Sequence, residues 1–328
     1  MAGTGRAHLR GDEMVLRAED INVNFTLGDG KTVQAVSGVS FDIAKSETLS
    51  IVGESGCGKS SLGKALLQLP KPTSGSVILN NTNITDLSGE KLRQIRPQMQ
   101  MIFQDPISSL DPRMTVRRII EQPLLIWTDL DEQGRASRIN ELLDSVGMDA
   151  EVVGSRRPYE FSGGQCQRIS IARALALNPS VLICDEPVSA LDVSVQAQVL
   201  NLLQDMKNKF ELTMMFISHD LGVVKTVSNR VMVMYLGKIC EIADPDTLYK
   251  HPRHHYTSAL VASVPIADPT KKPALRTIQG EPPSPTNPPS GCRFRTRCPA
   301  ATDLCTTEEP QLRELTAGQF VACHHPRD

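Results

Sequence analysis

The chain has 328 residues, 35 basic and 37 acidic side chains, a formal net charge of −2 and 40% apolar residues. That length suits one large domain with an extension, or two domains. The near-neutral charge gives no global basic field, so no nucleic-acid partner is expected, and no apolar run approaches the ~18 residues of a membrane-spanning helix.

Residues 1–10 carry no apolar signal core, so export is not expected, and Met14 is as good a starting residue as Met1, with a loose leader before it. The eight cysteines are then expected as reduced thiols or metal ligands and not as disulfides. Residues 21–27, Ile-Asn-Val-Asn-Phe-Thr-Leu, alternate as a half-buried strand does. Gly28-Asp29-Gly30 turns the chain into further strand over 33–43, which gives a small antiparallel sheet. Phe25 has two readings that pattern leaves open: a ring stacked on an adenine, or the apolar side of the strand.

Leu49-Ser50-Ile51-Val52 is short, apolar and partly β-branched, as a buried strand should be. Gly53-Glu54-Ser55-Gly56-Cys57-Gly58-Lys59-Ser60 follows, with Ser61 after it: Gly, four residues, Gly-Lys-Ser. Leu62, Ala65, Leu66 and Leu69 then recur at helical spacing until Pro70. A strand, a glycine-rich turn and a helix N-terminus make an anion site, because backbone N–H groups and the helix dipole point at phosphate oxygens. In that pattern Lys59 reaches the β- and γ-phosphates and Ser60 places its hydroxyl on Mg²⁺.

Further short strands are expected at 76–79 and 100–103, the second ending at Gln104. From 115 to 153 the pattern turns helical, with Val116, Ile119 and Ile120, then Ile139, Leu142, Leu143 and Val146 facing inward. The segment from about 105 to 168 reads as an inserted helical subdomain. Phe161-Ser162-Gly163-Gly164-Gln165 opens a helix with Ser162 as N-cap. Val181 to Glu186 is a buried strand ending in two carboxylates, Asp185 and Glu186, before Pro187. A helix over 196–210, a strand over 214–217 ending at Ser218-His219-Asp220, and a strand over 231–235 complete the core. Alternating strands and helices imply an α/β domain with a mainly parallel sheet, whose ligands sit at the carboxyl ends of strands. The glycine loop, Gln104, Asp185 and His219 all fall there.

Beyond 245 the composition shifts, with a proline-rich connector over 265–289. Cys292, Cys298, Cys305 and Cys323 then lie five, six and seventeen residues apart. Structural zinc uses pairs about two to four residues apart, whereas an iron–sulfur cluster tolerates wider spacing. A cubic cluster, zinc and free thiols all stay open, the cluster being favoured. Arg293, Arg295 and Arg297 read either as an offset to a cluster's charge or as a solvated basic strand, and His324 and His325 as spare ligands.

In order and spacing, the glycine loop, Gln104, Phe161-Ser162-Gly163-Gly164-Gln165, Cys184-Asp185-Glu186, Ser189-Ala190-Leu191-Asp192 and His219 resemble the motifs of an ATP-binding-cassette ATPase subunit. The resemblance implies a phosphate-loop NTPase core of RecA-like type over 14–245, with the antiparallel β subdomain and helical insertion, and a cysteine-containing extension over 246–328. It implies ATP on Phe25 and on residues 53–61, Mg²⁺ on Ser60, Gln104 and Asp185, and catalysis by Glu186 as base with His219 and Gln104. Ser162, Gly163, Gly164, Gln165 and Asp192 would meet the ATP of a second cassette. Two departures stand out: Ser61 replaces a frequent Thr and keeps the hydroxyl, and Cys166 stands where a basic or amide residue is frequent, as a tolerated change on the helix surface.

Phe103-Gln104-Asp105-Pro106, Ser109-Leu110-Asp111-Pro112-Arg113, Gly280-Glu281-Pro282-Pro283-Ser284-Pro285 and Pro288-Pro289-Ser290-Gly291-Cys292 look like the dipeptide and oligopeptide importer branch. That branch implies a subunit peripheral to the cytoplasmic face of the inner membrane, working with two permease subunits and a solute-binding protein. Gly56-Cys57-Gly58-Lys59-Ser60-Ser61-Leu62-Gly63 resembles the second of its two paralogous ATPases, so the partner is a paralogue or a second copy of this chain. Some importers with such a tail carry a 4Fe–4S cluster there. The alternative is a soluble cassette ATPase of DNA repair or translation. The stretch between residues 61 and 161 is too short for a repair-type coiled coil, and translation members usually carry two cassettes.

Overall fold

The structure is a computed structural model and describes residues 6–11, 14–264, 278 and 280–328. The proline-rich residues 265–277 and residue 279 lie outside them. The chain forms two compact units, Met1–Asp86 with Phe216–Asp328, and Leu87–Met215.

In the first unit the apolar strand Thr48–Val52 is buried along its whole length. It pairs in parallel with Arg230–Tyr235, Ile51 opposite Met232 and Val52 opposite Val233. The helix Lys59–Leu66 follows, and its Leu62, Ala65 and Leu66 are fully buried. The expected antiparallel sheet is present and has four strands, in the order Thr32–Ala44, Met14–Thr26, Ser74–Leu79 and Thr82–Asn83. The alternation read in residues 21–27 is the inward and outward pattern of its central strand: Ile21 and Val23 are buried while Asn24 is exposed.

The cysteine-bearing tail is built into the same unit. Arg230–Tyr235 pairs antiparallel with Lys238–Ala243. The latter pairs with Gln319–Val321, Glu241 opposite Val321, and that strand with Arg313–Thr316. The Glu241 carboxylate, wholly buried, accepts N–H groups from Arg253 at 3.0 Å, His254 at 2.8 Å and the Gln319 amide at 2.8 Å. A buried carboxylate needs such partners, and here one of them comes from the tail. The leader before Met14 is not loose at its described residues. His8 is buried with Nε2 2.6 Å from the Ser40 carbonyl, and Arg10 pairs with Asp42 at 2.6 Å and Glu47 at 2.5 Å.

In the second unit Met99–Ile102 pairs in parallel with Val181–Asp185, Ile102 opposite Cys184. The helices Val116–Trp127, Glu132–Ser145 and Ala150–Val153 are capped by the side chains of Thr115, Asp131 and Asp149, each accepting a first-turn N–H. Val116, Ile119, Ile120, Ile139, Leu142, Leu143 and Val146 are buried, as their spacing requires. Gly163–Leu175 and Val193–Phe210 complete the helices around the strands, and Thr213–Ile217 crosses the boundary between the units. Among the described residues no helix is long and apolar enough to cross a membrane.

Candidate functional site

The glycine loop of the first unit connects Thr48–Val52 to Lys59–Leu66. Gly53 and Gly58 have φ of +155° and +103°, and a Cβ at either would stand 2.2 Å from the Met234 carbonyl oxygen or 2.1 Å from that of Ala35. Only glycine lets the backbone pass that closely. At Gly56, by contrast, a Cβ would meet nothing within 4 Å, so the outer face of the loop is open. Among the described residues no side chain caps the N-terminus of Lys59–Leu66, and an uncapped helix N-terminus suits an anion. The buried Lys59 folds back on the loop, its Nζ donating to the carbonyls of Gly53 at 2.8 Å and Glu54 at 3.1 Å.

Around this loop, burial pushes the Cys57 thiol pKa up, so Cys57 sits as a neutral packing group. Phe25 is 38% exposed near the end of its strand, so its ring adds little to the core and faces outward, where a ligand can reach it. His219 is exposed, two residues past the buried strand Thr213–Ile217.

In the second unit Gln104 and Glu186 come together: Gln104 Nε2 donates to Glu186 Oε2 at 3.2 Å. Asp185, only 3% exposed, closes the buried strand. Glu186 then takes φ +47°, a left-handed conformation that costs a non-glycine residue about 1–3 kcal/mol and persists where its surroundings enforce it. Ser162 is the N-cap of Gly163–Leu175 in a reciprocal capping box: its Oγ accepts from Gln165 N at 3.4 Å, and Gln165 Oε1 accepts from Ser162 N at 3.0 Å. A Cβ on Gly164 would lie 2.4 Å from a Val195 methyl, so this glycine lets the helix pack against Val193–Phe210. Asp192 caps that second helix, its Oδ1 accepting from Val195 N at 3.0 Å. Hydrogen bonds from Ser194 and Val195 hold the Asp192 carboxyl below the usual carboxylate range.

One expectation needs correction, and a second finds no support. Cys166 is not on the helix surface. It is wholly buried, its Sγ donating to the Pro158 carbonyl at 3.4 Å. The 4Fe–4S cluster expected on Cys292, Cys298, Cys305 and Cys323 is not supported, because among the described residues no three or more His, Cys, Asp or Glu side chains are placed to hold a metal ion. The four thiols do line one small pocket, beside Phe294 and His324. Burial pushes the Cys292 thiol up to about 11 and the Cys323 thiol up to about 12, and raises that of Cys298. His324 and His325 are used otherwise, Nε2 of the first 3.0 Å from the Glu308 carbonyl and of the second 2.8 Å from Thr302 Oγ1.

The three arginines beside these cysteines form no basic strand, since Arg295–Arg297 is a tight turn. Arg293 donates to Gln34 Oε1 and Ser37 Oγ, both at 2.9 Å. Arg297 reaches the glycine loop, donating to both carboxylate oxygens of Glu54 at 2.7 and 3.1 Å. Sequence spacing gave no sign of this contact, which joins residues 243 positions apart. A carboxylate inside an anion-binding loop was the one signal that a counter-charge must come from somewhere.

A glycine loop packed between buried strands, an uncapped helix behind it and carboxylates at a strand end define a phosphate-loop α/β nucleotide triphosphatase. A family model described as ABC transporter matches residues 36–189, and one described as the C-terminal region of oligopeptide and dipeptide transporters matches residues 240–305. The chain is 51% identical to the putative oligopeptide transport ATP-binding protein YkfD of Bacillus subtilis, over 94% of this chain and 95% of that protein. It is 48% identical to the oligopeptide transport ATP-binding protein AppF of the same organism, over 95% and 97%. A putative peptide import ATP-binding protein of Brucella ovis is also 48% identical, over 89% and 92%. Among solved structures, the dimeric post-hydrolysis form of the ATP-binding cassette MJ0796 with ADP and Pi matches with a TM-score of 0.64 and 28% identity, over 70% of this chain and 98% of that one. CbiO1 of Clostridium perfringens matches with a TM-score of 0.65 and 27% identity, over 73% and 92%. The chain belongs to the ABC transporter family and is an ATP-hydrolysing transporter subunit. Nothing in these likenesses supports the repair or translation alternative.

The capping box makes a prediction independent of any role in catalysis. Ser162→Ala should cost about 1 kcal/mol of stability, measured by urea denaturation. An unchanged midpoint would mean that the cap carries no weight in solution.

Proposed function

We propose that this chain powers import of peptides or a related small solute, with ATP bound on the glycine loop and hydrolysed through Glu186. The relatives' names support the solute class. The observation that carries the chemistry is Glu186 itself: held in a costly backbone conformation, directly after the buried Asp185 and hydrogen-bonded to Gln104.

ATP would lie on residues 53–61, with Phe25 beside its base. Lys59 would leave the Gly53 and Glu54 carbonyls for the β- and γ-phosphates. The hydroxyl, amide and carboxylate oxygens of Ser60, Gln104 and Asp185 are a donor set that suits Mg²⁺, a hard cation that prefers oxygen. When bound, the ion would neutralise charge on the phosphates. Glu186 would draw a proton from the attacking water, an effect of about 10²–10⁴-fold for a general base, and His219 would hydrogen-bond the γ-phosphate. Ser162, Gly163, Gly164, Gln165 and Asp192 would face the ATP of a second cassette, as the dimeric form of MJ0796 suggests. That partner is a paralogue or another copy of this chain. Closure of the pair would drive two membrane permease subunits, which take solute from a binding protein and hold this chain at the cytoplasmic face of the membrane.

Glu186→Gln should keep ATP binding and reduce turnover at least about 100-fold, while Lys59→Ala should weaken nucleotide binding itself. Titration with a fluorescent ATP analogue and phosphate release separate the two. Wild-type turnover by Glu186→Gln would remove the base assignment.

We also propose that the cysteine pocket is a structural site, able to take a 4Fe–4S cluster once its thiols ionise. The lining of one pocket by all four cysteines supports this, and His254 beside them, with its pKa lowered to about 3 by burial, adds no competing cation. Anaerobically purified chain should carry about four irons and absorb broadly in the visible, and Cys298→Ser should lose the iron. Colourless anaerobic protein without iron would end this reading.

A further inference from the structure

We propose that Arg297, in the cysteine-bearing extension, is a positioning residue for the phosphate loop, so that the extension sets the affinity of this chain for ATP. The inference rests on the proposed binding of ATP to residues 53–61 and goes beyond it.

Besides the local bonds to its carbonyl, Glu54 takes three contacts from residues after 234 in the chain. Arg297 Nη1 donates to Glu54 Oε2 at 2.7 Å and Nη2 to Oε1 at 3.1 Å, a two-pronged pair. The Arg297 side chain is 6% exposed and that of Glu54 26%, so water screens the pair less than one on the open surface. The Tyr256 hydroxyl accepts the backbone N–H of Glu54 at 2.7 Å. Arg297 Nη1 also donates to the Tyr235 hydroxyl at 3.2 Å. Beneath these contacts Tyr235, Tyr256 and Phe294 pack edge-on or tilted, with ring centres 4.8 to 5.4 Å apart. Phe294 is 2% exposed and lies between Cys292 and Cys298. The turn that carries the cysteines is thereby anchored on the loop by an apolar cluster and an ion pair.

The physical consequence concerns charge. Glu54 places a carboxylate in a loop that must receive several phosphate charges. Unpaired, it would repel them; paired with Arg297, it is neutralised and its side chain is drawn away. The loop carbonyls of Gly53 and Glu54 are also where Lys59 rests. A loop that shifts at 54 therefore shifts the lysine as well. Lysine cannot replace the arginine fully, since a point charge on a flexible stem does not reproduce the two-pronged fork.

The test uses the full chain and Mg-ATP, with affinity from titration of a fluorescent ATP analogue and kinetics from phosphate release. Arg297→Ala should weaken ATP affinity about tenfold while kcat at saturating ATP stays within about twofold. Arg297→Lys should lose about threefold. Adding Glu54→Gln to Arg297→Ala should recover most of the loss, because the unpaired charge is gone. Tail packing alone would predict a lower melting temperature with no recovery on adding Glu54→Gln. Unchanged affinity in Arg297→Ala, or in Arg297→Lys if the alanine variant does not fold, overturns the inference. So does a double variant as weak as Arg297→Ala. A wild-type chain that bound no ATP would instead overturn the proposed function.

Discussion

In the first unit the glycine loop passes between two strands too closely for any side chain. The backbone at Gly53 runs against the Met234 carbonyl, and at Gly58 against the Ala35 carbonyl. No side chain fits at either point. The helix Lys59–Leu66 follows the loop, whose face at Gly56 is open. One wall is the antiparallel strand Thr32–Ala44 and the other is Arg230–Tyr235. Residues from both ends of the chain thus build one loop, and the tail adds a third support by pairing Gln319–Val321 with Lys238–Ala243.

Where one side of an element is apolar and the other polar, the sequence was legible. The strand Thr48–Val52, the helices Val116–Trp127 and Glu132–Ser145, and the cap at Ser162 followed from spacing and residue type. The helix Gly89–Ile95 was not foreseen, because none of its residues is buried and no apolar stripe marks it. The strand Arg313–Thr316 has the same difficulty, with no buried residue to betray it. The phosphate-loop residues were legible because local chain geometry demands glycine there. The Arg297 contact was not, since an ion pair across the fold leaves no periodic trace. Cys166 misled for a related reason: a family pattern describes residue type at a position, not whether that position faces solvent.

Each unit also shows how cost is concentrated at its chemistry. In the second unit Glu186 keeps a left-handed backbone after a buried strand, and its carboxylate accepts from Gln104. In the first, a carboxylate stands in the phosphate loop and an arginine from the extension neutralises it. Neither arrangement stabilises the fold cheaply. Both make sense if the loop is to take phosphate and the carboxylate is to meet water, as proposed. The extension, on this account, is part of the nucleotide-binding apparatus as well as a mark of the transporter branch.

In the proposed function this chain supplies a phosphate loop to its own ATP and Ser162 to Gln165 to a partner's. Mixing two inactive variants tests this arrangement. Ser162→Arg chains alone, and Lys59→Ala chains alone, would each have two broken composite sites. Mixed, they form some dimers with one site that has both an intact Lys59 and an intact Ser162. ATP hydrolysis, absent in either variant, should return on mixing. Mixed dimers that form but stay inactive, or a wild-type chain that hydrolyses ATP at full rate as a strict monomer, would contradict it.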